Sequence, residues 1–354
     1  MTSWHDARAV VTGSAGFIGS HLVHALAERG ASVVGIDRRA GDLQVDLTST
    51  DVEDVLLVNE ALAGADVVFH LAGLPGVRGG GGDLDARRQR DNVAAGARVL
   101  NSTPAATPVV VTSSSSVYGG ADADAWGWFR PSEEGDRLRP RGGYARSKVA
   151  LERLCARRAA EGGVVAVARP FTVAGEGQRP DMAVSRWLTA AAAGRPLEVY
   201  GGLDRFRDVT DVRDVVRGLI ALAQHGRSVT VNLGTGRPVA LGEVVEAVAA
   251  AAGRPVTVAL GPAGAEEVPA TRACVRRCED VLGFVPETDL PDLVQRQREY
   301  QEAAERAQRA ELASERAPAA RPSHQGMARA AASERDRQVA LSEPECQSIS
   351  TRSA

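Results

Sequence analysis

Short apolar runs alternate with amphipathic stretches through the first half of the chain. Ala9–Val11, Ser32–Ile36, Asp66–Leu71, Pro108–Thr112 and Val164–Ala168 are runs of strand length rich in β-branched residues. Between them, Phe17–Glu28, Asp51–Leu62, Ala86–Leu100 and Tyr144–Ala160 carry apolar residues at helical spacing. Strands that are apolar throughout, with no polar alternation, belong to a parallel sheet buried on both faces. The pattern therefore predicts an α/β fold, a doubly wound parallel sheet with helices on either side.

After about Phe171 the alternation loosens. Helices are expected at Ala183–Ala193, Asp211–Ala223 and Leu241–Ala252, with a short strand at Thr230–Leu233. This part reads as a smaller C-terminal substrate-binding lobe set around the sheet's C-terminal edge, where ligands of such sheets bind. From about Gln301 the composition shifts to Ala, Arg, Glu, Gln and Ser. Glu302–Glu315 fits a solvated helix, and Pro318–Ala354 has too little apolar content to build a core. The expected division is 1–170, 171–300 (with some segments returning to the sheet) and a tail, 301–354.

Composition narrows the function classes. The 354 residues are 44% hydrophobic and 25% charged, ordinary for a globular protein, and the net charge is −3. That balance offers no footprint for nucleic acid or an anionic membrane. No stretch reaches the roughly 18 apolar residues of a membrane span, and Ala9–Val11 is too short for a signal peptide. A cytoplasmic protein is expected. Of the four cysteines (Cys155, Cys274, Cys278 and Cys346), Cys274 and Cys278 have helical spacing, but no histidine stands near to complete a metal set. Neither a metal site nor a disulfide scaffold is expected.

The chemistry begins at Val10-Val11-Thr12-Gly13-Ser14-Ala15-Gly16-Phe17-Ile18-Gly19. This is a strand, a turn with three spaced glycines, and a helix start. Gly13 permits the tight turn, Gly16 lets backbone N–H groups approach a pyrophosphate, and Gly19 lets the helix pack on the sheet. The helix N-terminus then faces the phosphates. Asp37 ends the next strand, where a carboxylate accepts from ribose hydroxyls and repels a 2′-phosphate. The context predicts a Rossmann-type NAD site, with Arg38 and Arg39 as a counter-signal toward NADP. Asp46-Leu47 is placed to flank an adenine, and His70-Leu71-Ala72-Gly73 ends the third strand with small residues that admit a cofactor.

A second constellation lies downstream. Thr112-Ser113-Ser114-Ser115-Ser116-Val117-Tyr118-Gly119 follows the fourth strand, and Tyr144-Ala145-Arg146-Ser147-Lys148 opens the next helix. Positions i and i+4 share a helical face, so the phenol and ammonium can meet one cavity. A nearby ammonium favours phenolate, so the Tyr144 pKa is expected below its usual value of about 10, fitting Tyr144 as a base. An isolated pair of this spacing would be an ordinary amphipathic helix. Downstream of the glycine turn and the serine run it is not.

At these residues the chain resembles the extended short-chain dehydrogenases/reductases that act on nucleotide sugars, over roughly Ala9–Arg298. The resemblance implies Ser114, Tyr144 and Lys148 as the catalytic set. It implies NAD held by Gly13, Gly16, Phe17, Ile18, Gly19, Asp37, Arg38, Asp46, Leu47, Leu71, Ala72, Gly73 and Asn92 together with Tyr144 and Lys148. Related dehydratases carry an Asp-Glu pair just before Val-Tyr-Gly, and UDP-glucuronate decarboxylases a Glu; here Ser115 and Ser116 stand there. That argues against elimination of water and against that decarboxylation.

The segment from Arg169 through Thr172, Arg179, Asp181 and Ala183 is similar to the corresponding stretch of UDP-glucuronate 4-epimerases, as is Gly76-Val77-Arg78. In that reading Arg78, Ser114, Ser115, Ser116, Thr172, Arg179, Tyr200 and Arg207 meet the UDP-sugar. Thr172 and Arg179 hold its carboxylate, for which a guanidinium fork is well shaped, and Arg207 takes the diphosphate. The alternatives are a UDP-glucose/galactose 4-epimerase, a 4-ketoreductase, and a non-catalytic NAD-sensing protein of the same fold. Helices at Ala86–Leu100 and Tyr144–Ala160 resemble the family's homodimer face. Departures from the family pattern are also plain. Ala174 and Glu176 replace Tyr and Pro, and the Asp37–Asp46 loop is short. Ala121–Arg130, with Trp126 and Trp128, reads as an insertion, and Ala265-Glu266-Glu267-Val268-Pro269 lacks an expected arginine.

Overall fold

A computed structural model of the chain describes residues 4–76, 81–123 and 128–316. The elements, in chain order, open with β1 (Arg8–Thr12), α1 (Phe17–Ala27), β2 (Ser32–Ile36), α2 (Val52–Ala63), β3 (Val67–His70) and α3 (Gly82–Arg88). A π-helical stretch, Gln89–Ala94, joins α3 to α4 (Ala95–Ser102). Then come β4 (Val109–Thr112), a 3-10 turn at Ser115–Tyr118, α5 (Gly142–Ala160), β5 (Val165–Pro170), β6 (Thr172–Ala174) and α6 (Ala183–Ala192). The remainder is β7 (Leu197–Tyr200), β8 (Phe206–Arg207), β9 (Val209–Asp211), α7 (Val212–His225), β10 (Val229–Leu233), β11 (Val239–Ala240), α8 (Leu241–Ala252), β12 (Val258–Gly261), α9 (Arg276–Leu282) and α10 (Leu290–Arg316).

The six-stranded sheet runs β2-β1-β3-β4-β5-β10, with every pairing parallel. From β1 the chain goes to β2 on one side, then crosses back to place β3 on the other. That reversal leaves a crevice at the C-terminal ends of β1 and β3, the place where such sheets bind ligands. The valine-rich runs of β1, β3 and β4 are buried on both faces. On one face they meet Leu22, Leu26, Leu219 and Leu222 of α1 and α7. On the other they meet Val58, Leu62, Val99 and Leu151 of α2, α4 and α5. Past β2 a single bridge, Ile36 to Leu43, is what the short Asp37–Asp46 loop leaves at the sheet edge.

Beyond β5 three two-stranded sheets form: β6-β9, β7-β12 and β8-β11. A separate core of Val184, Trp187, Leu188, Leu197, Val199, Val248, Leu293 and Val294 lies between α6, α8 and β7. β10 returns to the main sheet beside β5, with Val229 opposite Ala166. The last described helix differs from the expected Glu302–Glu315: α10 starts at Leu290 because Leu293, Val294 and Gln297 are buried there. Met1–Ala303 form one compact unit; the second, Ala304–Ala354, has as its described part the end of α10, where Arg309 pairs with Glu305. Cys274 precedes α9 and Cys278 sits on it, so the pair does not share a helix. Trp126, Cys346 and 317–354 lie outside the described residues.

Candidate active site

The turn after β1 is built as its glycines require. Gly13 has φ +75, and a Cβ there would stand 2.7 Å from the Ala72 nitrogen. A Cβ on Gly19 would stand 2.0 Å from the Gly13 carbonyl oxygen, so α1 presses directly on the turn. α1 has no side-chain cap and no acid in its first turn, so its leading N–H groups are left to an anion. Asp37, nearly buried, accepts from the Ala15 N–H (3.2 Å) and the Arg39 N–H (2.9 Å). Arg38 pairs with Asp91 at 3.2 Å, and Arg39 donates to the Ala15 carbonyl at 2.7 Å. Both guanidiniums are engaged by the protein, which removes the force of the NADP counter-signal. Leu71, Ala72 and Gly73 continue β3 along the same crevice, and the Ala72 N–H donates to the Thr12 hydroxyl at 3.4 Å. Asp46 turns back on Thr48, and Leu47 is packed in the core beside α2.

Asn92 is fully buried, and the π-helical stretch is what turns it inward. Its Oδ1 accepts from the Leu74 N–H at 2.5 Å, and its Nδ2 donates to the Ser147 hydroxyl at 2.8 Å. It thus ties the chain after β3 to α5. A Cβ on Gly73 would meet Asn92 Oδ1 at 2.8 Å. The continuous Ala86–Leu100 helix expected from the pattern is therefore corrected at this point.

α5 carries Tyr144 and Lys148 on one face. Lys148 Nζ lies 5.9 Å from the Tyr144 ring centroid and donates to the Thr112 carbonyl at 2.8 Å. Burial pulls the Lys148 ammonium down to about 8, with Cys155 and Glu152 acting the other way. Tyr144 runs against expectation: burial raises its pKa above the ordinary 10. A hydrogen bond from Ser114 and the charges of Arg179 and Arg88 oppose that rise without overcoming it. Lys148 shares the helical face, but desolvation of the phenol outweighs the favourable interactions around it. His70 is fully buried, hydrogen-bonded through Nδ1 to the Thr12 hydroxyl at 2.8 Å, and held down at about 3 by burial and by the Lys148 charge.

These groups open onto a cleft of about 330 Å³. Phe17, Ile18, Leu71 and Gly73 line one part, and Ser114, Ser115, Ser116, Tyr144 and Lys148 the middle. Thr172, Arg179, Arg207, Glu266 and Glu267 line the cleft as well. Arg179 is forked onto Asp181 (2.9 and 3.0 Å), and Arg207 pairs with Glu267 at 3.2 Å. Tyr200 is not among the cleft-lining residues: β7 pairs with β12, and the Tyr200 hydroxyl meets Glu198 at 3.2 Å. Arg78 lies outside the described residues.

Several supporting residues escaped the sequence reading. Glu152 receives Arg169 through two hydrogen bonds (2.9 and 2.6 Å) and the Ser113 hydroxyl at 2.5 Å. Arg169 also reaches the Tyr118 hydroxyl, which donates to Asn232 at 2.6 Å. This buried network fixes the end of β4, from which Ser114 projects. Glu152 continues the i, i+4 series of Tyr144 and Lys148, and that spacing could have found it. Arg88 is fully buried, donates to the Gly76 carbonyl at 2.8 Å, and acts on Tyr144 by its charge; a helical arginine carries no such mark in sequence. Asp208 takes the N–H groups of Thr235, Gly236 and Ala273 (2.8, 2.9 and 2.8 Å), pinning the loops behind Arg207. Glu176, which departs from the family's Pro, binds Arg213 and Arg296 and so anchors α10.

A glycine cradle without steric room for side chains, a carboxylate at the end of β2 and a buried Lys148 fit a dinucleotide. Comparison with known proteins agrees. Among curated relatives, an uncharacterized UDP-glucose epimerase of Bacillus subtilis (strain 168), YtcB, is 31% identical, over 80% of this chain and 95% of its own. A probable UDP-glucuronate 4-epimerase of Rhizobium meliloti (strain 1021) is 30% identical, over 82% and 95%. Among solved structures, MoeE5 in complex with UDP-glucuronic acid and NAD is 40% identical, with TM-score 0.75 over 84% of this chain and 100% of that one. Residues 9–234 match the family's model, and the chain belongs to the NAD dependent epimerase/dehydratase family.

Proposed function

We propose that this protein is a 4-epimerase of UDP-sugars, interconverting UDP-glucuronate and UDP-galacturonate. The observation that carries the reading is the cleft itself. It gathers Ser114, Tyr144, Lys148, Thr172 and Arg179 on one cleft, which Ser115 and Ser116 also line where related dehydratases hold carboxylates. Glu266 and Glu267 also line the cleft; Glu266 packs against Gly142 at the start of α5, and Glu267 is tied to Arg207.

The family's NAD supplies an acceptor, and then a donor, for the C4 hydride. Tyr144 takes the proton of the C4 hydroxyl and gives it back to the same oxygen once the 4-keto sugar has turned over and hydride has been returned to the other face of C4. Ser114 hydrogen-bonds the same oxygen, and that bond with the charges of Arg179 and Arg88 opposes the burial that raises the phenol's pKa, while Lys148 stands on the same face of α5. The sequence is redox-neutral. The 4-keto uronate is a β-keto acid prone to lose carbon dioxide; Thr172, Arg179 and a serine of the β4 end hold its carboxylate out of line with the carbonyl π system. Cytoplasmic placement and a homodimer through α4 and α5 go with this reading, as does a division at about residue 170 into nucleotide and sugar halves.

A second reading is a neutral-sugar 4-epimerase, favoured by the fork of Arg179 onto Asp181, which already satisfies that guanidinium. Arg179→Ala separates the two. On the uronate reading it raises KM for UDP-glucuronate about thirtyfold, the worth of about 2 kcal/mol for a charge-assisted pair, and leaves a neutral UDP-hexose nearly unaffected. Equal loss on both sugars assigns Arg179 to the diphosphate and sinks the uronate reading.

A further inference from the structure

We propose that Glu267 is an internal competitor for Arg207, so that a nucleoside diphosphate gains this guanidinium only by exchanging with the Glu267 carboxylate. The inference rests on the nucleotide-sugar reading above and adds to it a residue that sets affinity. Three observations carry it. Arg207 is already oriented by backbone: its Nη1 donates to the Phe206 carbonyl at 2.8 Å and reaches the Pro269 carbonyl at 3.4 Å. The other terminal nitrogen, Nη2, donates to Glu267 Oε2 at 3.2 Å, and both side chains are mostly buried in the cleft wall, 15% and 12% exposed. Glu267 thus occupies a donor suited to a phosphate oxygen rather than being needed to aim the side chain. Finally, the segment expected to supply a second arginine supplies Glu266 and Glu267, both lining the cleft.

Two anions cannot share one guanidinium edge at low cost in a cleft of reduced dielectric. Diphosphate binding must therefore displace the Glu267 carboxylate from Nη2 or tolerate it a few ångströms away. Either way Glu267 weakens the complex. The gain from such a residue is release: affinity differences among related complexes appear mostly in the dissociation rate, so Glu267 speeds the departure of a multiply charged product.

The test is calorimetric titration of the full chain with UDP, and with uridine as the probe that lacks phosphate. Glu267→Gln removes the charge and keeps the shape. The expected result is tighter UDP binding by about tenfold or more, slower UDP dissociation, and unchanged uridine binding. In an Arg207→Ala background the same substitution should change UDP affinity little. UDP binding that is unchanged or weaker in Glu267→Gln overturns the proposal, since Glu267 then positions Arg207. An equal change for uridine and UDP overturns it as well, by showing general repacking. If the parent protein binds neither UDP nor uridine, the nucleotide-sugar reading falls and takes the proposal with it. UDP binding without the gain in Glu267→Gln leaves that reading intact and removes only the competitor.

Discussion

His70 should make the protein's stability depend on pH in a way that one substitution removes. Its ring is fully buried, bonded to the Thr12 hydroxyl, and its pKa is lowered to about 3 by burial and by the Lys148 charge, from an ordinary 6.5. The sign follows from proton counts. Between pH 6.5 and 3 the unfolded chain binds a proton at this histidine and the folded chain does not, so stability falls as pH drops through 6.5 and levels off below 3. At about 1.4 kcal/mol per pH unit, the loss is about 2 kcal/mol by pH 5, and on the order of 5 kcal/mol over the whole window. His70→Gln keeps a partner for Thr12 and removes the titration. Urea unfolding of parent and variant at pH 7.5, 6.5, 5.5 and 5 gives the difference at each pH, in which all other groups cancel. The gap in favour of the parent should shrink by about 2 kcal/mol between pH 7.5 and 5. A gap constant to within about 0.5 kcal/mol would refute the burial argument.

Two other substitutions probe the scaffold of the site. Gly19→Ala drives a methyl onto the Gly13 carbonyl, so NADH titrated by fluorescence should bind at least roughly tenfold more weakly; unimpaired binding would show that the turn yields. Glu152→Gln leaves the buried Arg169 guanidinium without its counter-charge, which should cost about 3 kcal/mol in denaturant unfolding; a loss under about 1 kcal/mol would mean the network relaxes onto Tyr118 and the Glu134 carbonyl.

What could be read from sequence was whatever a local pattern encodes. The central strands of the main sheet are buried on both faces, so Val67–His70 and Val109–Thr112 show as runs without polar alternation. The glycine turn is legible because its steric demands fall on three residues of one segment. The lobe is not, because its pairings are remote and short. Leu197–Tyr200 finds Val258–Gly261 some 60 residues later, and Phe206–Arg207 finds Val239–Ala240. The inward turn of Asn92 needs a π-helical stretch that no propensity marks. The Tyr144 pKa went astray for a related reason: the Lys148 charge is visible in an i, i+4 spacing, whereas burial belongs to the folded whole. Arg207 could be expected in the cleft from its segment, but not its Glu267 partner, because that pairing depends on how two loops meet.

Incubating the purified protein with UDP-glucuronate and resolving the products by anion-exchange chromatography and NMR tests the uronate 4-epimerase reading. The expected product is UDP-galacturonate, formed without added reductant and without release of carbon dioxide, with no conversion by Tyr144→Phe although its NAD binding is intact. Failure to form UDP-galacturonate, or full turnover by Tyr144→Phe, would contradict this reading.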